Sequence, residues 1–107
     1  MASTFPTVSP YSKAFGAALK QVMKDRGVTQ AHAAEKAGVL QSYVSERLAG
    51  KRAVDTDVIY GVAVAARVSP RTIVQEVHRQ IAEQAPHAIA ATARGEAKPQ
   101  GRQVQPK

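Results

Sequence analysis

The segment Thr29–Gly50, TQAHAAEKAGVLQSYVSERLAG, contains the residues from which the fold is inferred. Thr29 is a residue type that caps the start of a helix, and Gly38 can adopt the left-handed backbone conformation that ends a helix abruptly. Small side chains stand before the turn, where two crossing helices must approach closely; they are Ala33, Ala34 and Ala37. The segment therefore predicts two short helices joined by a tight turn.

The second of these helices is predicted over about Gln41–Ala49. Val44 offers an apolar contact with the helix before the turn, and Gly50 is a residue that favours a helix end. A basic pair, Lys51-Arg52, follows at once. A tight turn, a short helix and a basic pair in this order are typical of a helix that binds a polyanion.

The flanking sequence predicts three further helices with apolar stripes at helical spacing, and no stretch alternates apolar and polar residues as a half-buried strand does. We therefore expect an all-α fold of five helices. The three flanking helices are predicted from about Ser12, as N-cap, to Arg26, from Asp55 or Thr56 onward, and from Ser69-Pro70 to just before Pro86.

We divide the chain into a flexible N-terminal arm (residues 1–10), one domain (residues 11–85) and a basic, disordered tail (residues 86–107). The tail has few large apolar side chains and cannot bury enough surface to order itself. It either adds non-specific affinity for nucleic acid or is a solvated end. No Lys or Arg precedes Lys13, so we assign the arm no role with DNA.

The charge balance indicates the class of partner. Lys and Arg number 15 against 8 Asp and Glu, a net charge of +7. Residues 1–86 hold 11 basic and 7 acidic groups, and residues 87–107 hold 4 and 1, so both parts are basic. A basic excess favours a polyanionic partner through neutralisation of phosphates, although a basic protein without such a partner has the same composition.

Several other classes of function are not expected. The chain has no cysteine, which excludes disulfides and thiol catalysis, and its three histidines lack metal-ligand spacing. There is no catalytic motif, signal peptide or apolar run long enough to cross a membrane. We expect a soluble, cytoplasmic protein that is not an enzyme and has no metal or cofactor.

A set of residues in a fixed order runs through the predicted turn and its flanks: Thr29-Gln30, Ala34, Gly38-Val39, Gln41-Ser42, Val44-Ser45 and Gly50-Lys51-Arg52. This set resembles the helix-turn-helix domains of phage repressors and Cro proteins, the lambda-repressor-like (XRE-like) family. The resemblance covers about residues 15–81. It implies a five-helix DNA-binding domain whose partner is a double-stranded DNA operator.

Groove geometry predicts which side chains meet base edges, because a recognition helix presents its N-terminal residues to the major groove. Gln41 begins the second short helix and can bond an adenine edge bidentately. Ser42 and Ser45 can reach base edges or phosphates. Glu46 either accepts a hydrogen bond from a cytosine amino group or lies outside the contact. The resemblance implies that Gln30 contacts a phosphate and braces Gln41.

The remaining candidates flank that helix. Tyr43 is expected to meet the sugar-phosphate backbone, and Lys51 and Arg52 are expected to meet phosphates without reading sequence. Arg47 departs from the family pattern, which has a large apolar residue there. Either the helix rotates to bury Leu48, or the Arg47 stem covers the core while its head reaches out, where it would itself contact DNA.

One recognition helix contacts too few base pairs to single out a site, so we expect a homodimer. The last helix is the candidate interface through Val77 and Ile81, although the same apolar row would also close the core of one chain. The expected function is a phage or prophage regulator that binds an operator and blocks transcription. The alternatives are an antitoxin that holds a protein toxin, and a packaging protein that binds DNA without sequence preference.

Overall fold

The computed structural model describes residues 7–84, and this part of the chain contains five α-helices and no strand, which confirms the all-α expectation. The segment predicted as a tail and most of the predicted arm lie outside the described residues. In chain order, the helices are α1 (Pro10–Asp25), α2 (Gln30–Ala37), α3 (Gln41–Leu48), α4 (Thr56–Ala66) and α5 (Pro70–Gln84).

The start of α1 was predicted too late. Ser9, not Ser12, is the N-cap, and its hydroxyl oxygen accepts a hydrogen bond from the Ser12 backbone N–H at 3.0 Å. Pro10 occupies the first turn, where its missing N–H needs no partner. The predicted arm boundary of residues 1–10 therefore includes the first residue of a helix.

One core holds the five helices together. α2 packs on α4, α1 packs on both α5 and α3, and α4 also packs on α5. Each helix contributes residues at helical spacing, and no polar side chain is buried among the described residues. The largest fully buried side chains are Leu19, Val44, Val58, Val62, Ile73 and Val77.

Two helix crossings depend on glycine because a side chain would not fit. A Cβ added to Gly16 would lie 2.6 Å from the carbonyl oxygen of Arg47, so the backbone of α1 touches that of α3. A Cβ added to Gly61 would lie 2.7 Å from the Ala37 Cβ and closer still to the Ala33 carbonyl oxygen. These contacts set the distances of α3 from α1 and of α2 from α4.

Polar contacts join α1 to α5 at the surface. The Arg26 guanidinium donates two hydrogen bonds to the Glu76 carboxylate, at 2.8 and 2.5 Å, and these lower the pKa of Glu76. The Tyr11 hydroxyl and the His78 Nε2 atom are 2.5 Å apart. These contacts therefore join α5 to both ends of α1.

The described helices include none that is long and apolar enough to cross a membrane. Within residues 7–84, no three His, Cys, Asp or Glu side chains are grouped so as to hold a metal ion.

Candidate nucleic-acid interface

The turn between α2 and α3 has the geometry that its sequence predicts. The Thr29 hydroxyl oxygen accepts a hydrogen bond from the His32 N–H at 3.0 Å and caps α2. Gly38 ends that helix with φ 75° and ψ 31°, a left-handed conformation that is unfavourable for a residue with a side chain. The Val39 N–H then donates to the Ala34 carbonyl oxygen at 3.0 Å. The chain therefore leaves α2 in a defined direction and enters α3.

The side chains of α3 divide into a buried and an exposed set. Val44 and Leu48, one turn apart, are buried in the core. The exposed residues form what we call the reading face, which consists of Gln41, Ser42, Ser45 and Glu46. The structure thus brings four of the predicted contact residues together on one open surface of a single helix.

Tyr43 and Arg47 lie between these two sets and turn toward α4. Their partner is Asp55, the N-cap of α4, whose Oδ1 atom accepts a hydrogen bond from the Val58 N–H at 3.1 Å. The Tyr43 hydroxyl donates to the Asp55 Oδ2 atom, and the Arg47 Nε atom lies 3.6 Å from that same oxygen. We call Tyr43, Arg47 and Asp55 the polar clamp.

Further contacts hold Arg47 inside the clamp. Its guanidinium carbon lies 3.4 Å from the centre of the Tyr43 ring, and its Nη1 atom donates to the Tyr43 carbonyl oxygen at 3.1 Å. Only 14% of the side chain is exposed, and the buried Nε atom has no hydrogen-bond partner. The head of Arg47 is therefore held against Tyr43 and Asp55. Arg47 also lines the groove that contains Lys51 and Arg52, so its contact with DNA stays a prediction.

The outcome at Arg47 combines the two alternatives that the sequence left open. Leu48 is buried, as a rotated helix requires, and the Arg47 stem also packs against the domain. The sequence analysis assigned Asp55 only a capping role, so it did not predict Asp55 as the partner of Arg47. The bond to Asp55 raises the pKa of the Tyr43 phenol, since ionisation would remove the donated proton.

The basic pair after α3 lies at the edge of a surface groove. Gly50, with φ 82°, redirects the chain, and the Lys51 N–H donates to the Glu46 carbonyl oxygen at 2.9 Å. Lys51 and Arg52 are exposed, and the Arg52 Nε atom lies 3.5 Å from the Glu46 Oε1 atom. The groove also contains Ser9, so it meets the positive, N-terminal end of the α1 dipole.

A second groove contains Gln30, at the start of α2. Lys20 and Lys24 of α1 line the same groove, and both are exposed. Sequence reasoning did not select these two lysines, although their spacing of four residues on a helix was a signal that they share a face. Among the described residues no hydrogen bond joins Gln30 to Gln41, so the bracing contact that the resemblance implies is not seen.

The two residues assigned to a dimer interface lie in the core of a single chain. Val77 has no exposed surface, and Ile81 is 6% exposed. Their row on α5 packs with the core instead of forming an open apolar strip. A homodimer stays a prediction, and its interface would need residues other than these.

Comparisons with known proteins agree with this geometry. The model of the helix-turn-helix family HTH_3 matches residues 19–73, more than half of the chain. No curated protein matches the chain.

Two crystal structures of the clp gene regulator ClgR from Corynebacterium glutamicum are similar to this chain. The first is 29% identical, with a TM-score of 0.59, covering 80% of this chain and 92% of its own. The second is 30% identical, with a TM-score of 0.56, covering 71% and 99%. The helix-turn-helix geometry, the family match and these two structures together identify the family. The chain belongs to the lambda-repressor-like helix-turn-helix family of DNA-binding transcriptional regulators.

Proposed function

We propose that this chain binds a specific operator and blocks transcription by occupying it, in the manner of a short phage or prophage repressor or a Cro protein. The observation that carries the proposal is the reading face of α3, where Gln41, Ser42, Ser45 and Glu46 are exposed together. Side chains at the start of such a helix meet base edges in the major groove. Gln41 would bond an adenine, and the serines would reach bases or phosphates.

Two basic grooves would hold the sugar-phosphate backbone. One is lined by Lys51 and Arg52 and the other by Lys20, Lys24 and Gln30. Contacts of this kind supply affinity and fix the position of the protein without reading sequence. The proposal therefore assigns base reading to α3 and phosphate binding to the residues before and after it.

A homodimer is part of the proposal, because one reading face covers too few base pairs for a unique site. Two such faces would enter successive major grooves about 34 Å apart. Selection of bound fragments from random DNA tests this directly: we expect a palindrome with its half-sites one helical turn apart. Recovery of fragments without a common sequence would contradict sequence-specific binding and favour a packaging role.

The role of Gln41 is tested on the selected operator. The Gln41→Ala variant should bind the operator more weakly by about 1–3 kcal/mol and bind random DNA almost unchanged. The matched control is Gln75→Ala, which removes an exposed glutamine from α5. Equal losses on operator and random DNA would reject Gln41 as a reader of bases.

The phosphate-binding role of the basic grooves is tested by the salt dependence of binding. Replacing Lys51 and Arg52 by alanine should reduce the slope of log affinity against log salt by about 0.9 for each phosphate that the protein no longer neutralises. The same reduction is expected for Lys20 and Lys24. Arg71→Ala, an exposed change on α5, is the control. An unchanged slope would mean that the two replaced side chains face solvent and do not contact phosphates.

A further inference from the structure

The start of α3 differs from the starts of the other described helices. Those four helices each begin after a residue whose side-chain oxygen accepts a hydrogen bond from a backbone N–H; the residues are Ser9, Thr29, Asp55 and Ser69. α3 begins after Leu40, which has no such oxygen and makes no side-chain capping bond. The helix that carries the reading face is therefore the one described helix that starts without a side-chain cap.

Burial of the Leu40 side chain also contributes little to stability. Its side chain is 76% exposed, more than the other exposed large apolar residues Tyr60, at 54%, and Val64. A single exposed leucine is ordinary in a folded protein. Here, however, an exposed apolar group occupies a position where serine, threonine or aspartate stabilises a helix. Neither capping nor core packing accounts for this residue.

The position of Leu40 indicates what it can contact. Its backbone is extended, with φ −72° and ψ 151°, and it directly precedes Gln41. The first residues of a recognition helix lie closest to base edges, and the thymine C5-methyl is the apolar group of the major groove. Leu40 has no polar atom in its side chain, so a methyl group is the base feature that it can recognise.

We propose that Leu40 contacts the C5-methyl group of a thymine at the operator, next to the base that Gln41 reads. This inference rests on the proposed function, since it requires α3 to lie in the major groove. Burial of one methyl group against a leucine side chain contributes about 0.8 kcal/mol, which corresponds to roughly a fourfold change in affinity. Leu40 thus adds discrimination between thymine and the other bases.

The test replaces each operator thymine in turn by deoxyuridine, which removes the methyl group and leaves the base-pairing groups unchanged. For the wild-type protein, we expect a threefold to tenfold loss of affinity at one thymine position in each half-site. The Leu40→Ala variant should bind the thymine operator correspondingly more weakly and show no difference between thymine and deoxyuridine there. Val64→Ala, which shortens an exposed apolar side chain on α4, should keep the full difference.

The Leu40→Ser variant separates recognition from folding. Serine can cap α3, so this variant should have a higher melting temperature than the wild type and still lose the response to the methyl group. A variant that folds better and discriminates worse cannot be explained by damage to the helix.

The outcomes for the two proposals are distinct. If the wild type binds its operator specifically but tolerates deoxyuridine at every position, the assignment of Leu40 is overturned and the proposed function stands. A Leu40→Ala variant that keeps the thymine preference would also overturn the assignment. If the wild type shows no preference for any DNA sequence, the proposed function fails, and the inference about Leu40 fails with it.

Discussion

The two polar surfaces of α3 use similar residues in opposite ways. On the reading face, Gln41 and Ser45 are exposed and leave their polar atoms open to a partner. In the polar clamp, Tyr43 and Arg47 direct theirs to Asp55, at the start of α4. All four side chains are polar residues of one short helix. Residue type alone therefore does not separate side chains that are open to a partner from side chains that join α3 to α4.

The largest expected effect on stability comes from a change at Gly16, whose backbone contacts α3. Gly16→Ala should lower the free energy of unfolding by about 2 kcal/mol, although alanine is the better helix former, because the added Cβ meets the Arg47 carbonyl oxygen. Chemical denaturation measures the loss. The control is Ala17→Val, an exposed change on the same helix, which should cost only a few tenths of a kcal/mol. Equal effects of the two changes would mean that α3 does not rest on α1.

Variants of the polar clamp are expected to have the second largest effect on stability. Asp55→Ala removes both the cap of α4 and the partner of Arg47, and should cost about 1–2 kcal/mol in stability. Asp55→Asn keeps a capping oxygen and removes the charge, so it should cost less. Thermal unfolding of the two variants separates the capping from the ionic contribution. If both variants unfold as the wild type does, the clamp does not hold α3 to α4.

A smaller change, of opposite sign, is expected at the end of α4. Arg67 is exposed and has φ 64°, the only positive φ of a non-glycine residue in the described chain. Arg67→Gly should raise the free energy of unfolding by about 0.5–1 kcal/mol, because glycine adopts this conformation without a steric cost. In this stabilised background, the polar-clamp and reading-face variants can be compared at a higher free energy of unfolding. A lower melting temperature would show that the Arg67 side chain contributes more than its strain costs.

The smallest effect on stability is expected on the reading face. Glu46 pairs with Arg52 at 3.5 Å, and both side chains are largely exposed, so Glu46→Gln should change stability by no more than a few tenths of a kcal/mol. Binding to random DNA should strengthen, because a negative charge near the phosphates is removed. A selective loss on one operator would instead identify Glu46 as a reader of cytosine. A large loss of stability would contradict the division between the two surfaces.

Local signals in the sequence were sufficient to predict the order of the helices. Thr29 and Gly38 act through their own backbone and nearest neighbours, so the turn follows from residue type. The role of Arg47 did not follow, because its partner Asp55 is supplied by another helix. Gly16 and Gly61 likewise stand within helices, where only the approach of a second backbone shows why a side chain is excluded. Ser9 was missed because the adjacent proline was assigned to the arm.

The close contact at Gly61 has a consequence for how this domain can change. It joins α2 to α4 through backbone and small side chains, and none of those atoms belongs to the four residues of the reading face. The contact of Gly16 with α3 likewise involves only atoms of Arg47 and Leu48, so the four side chains can be exchanged together without altering either helix crossing. Under the proposed function, substitutions at these few surface positions would give the domain a new operator, so that it would offer a scaffold for designing altered DNA specificity.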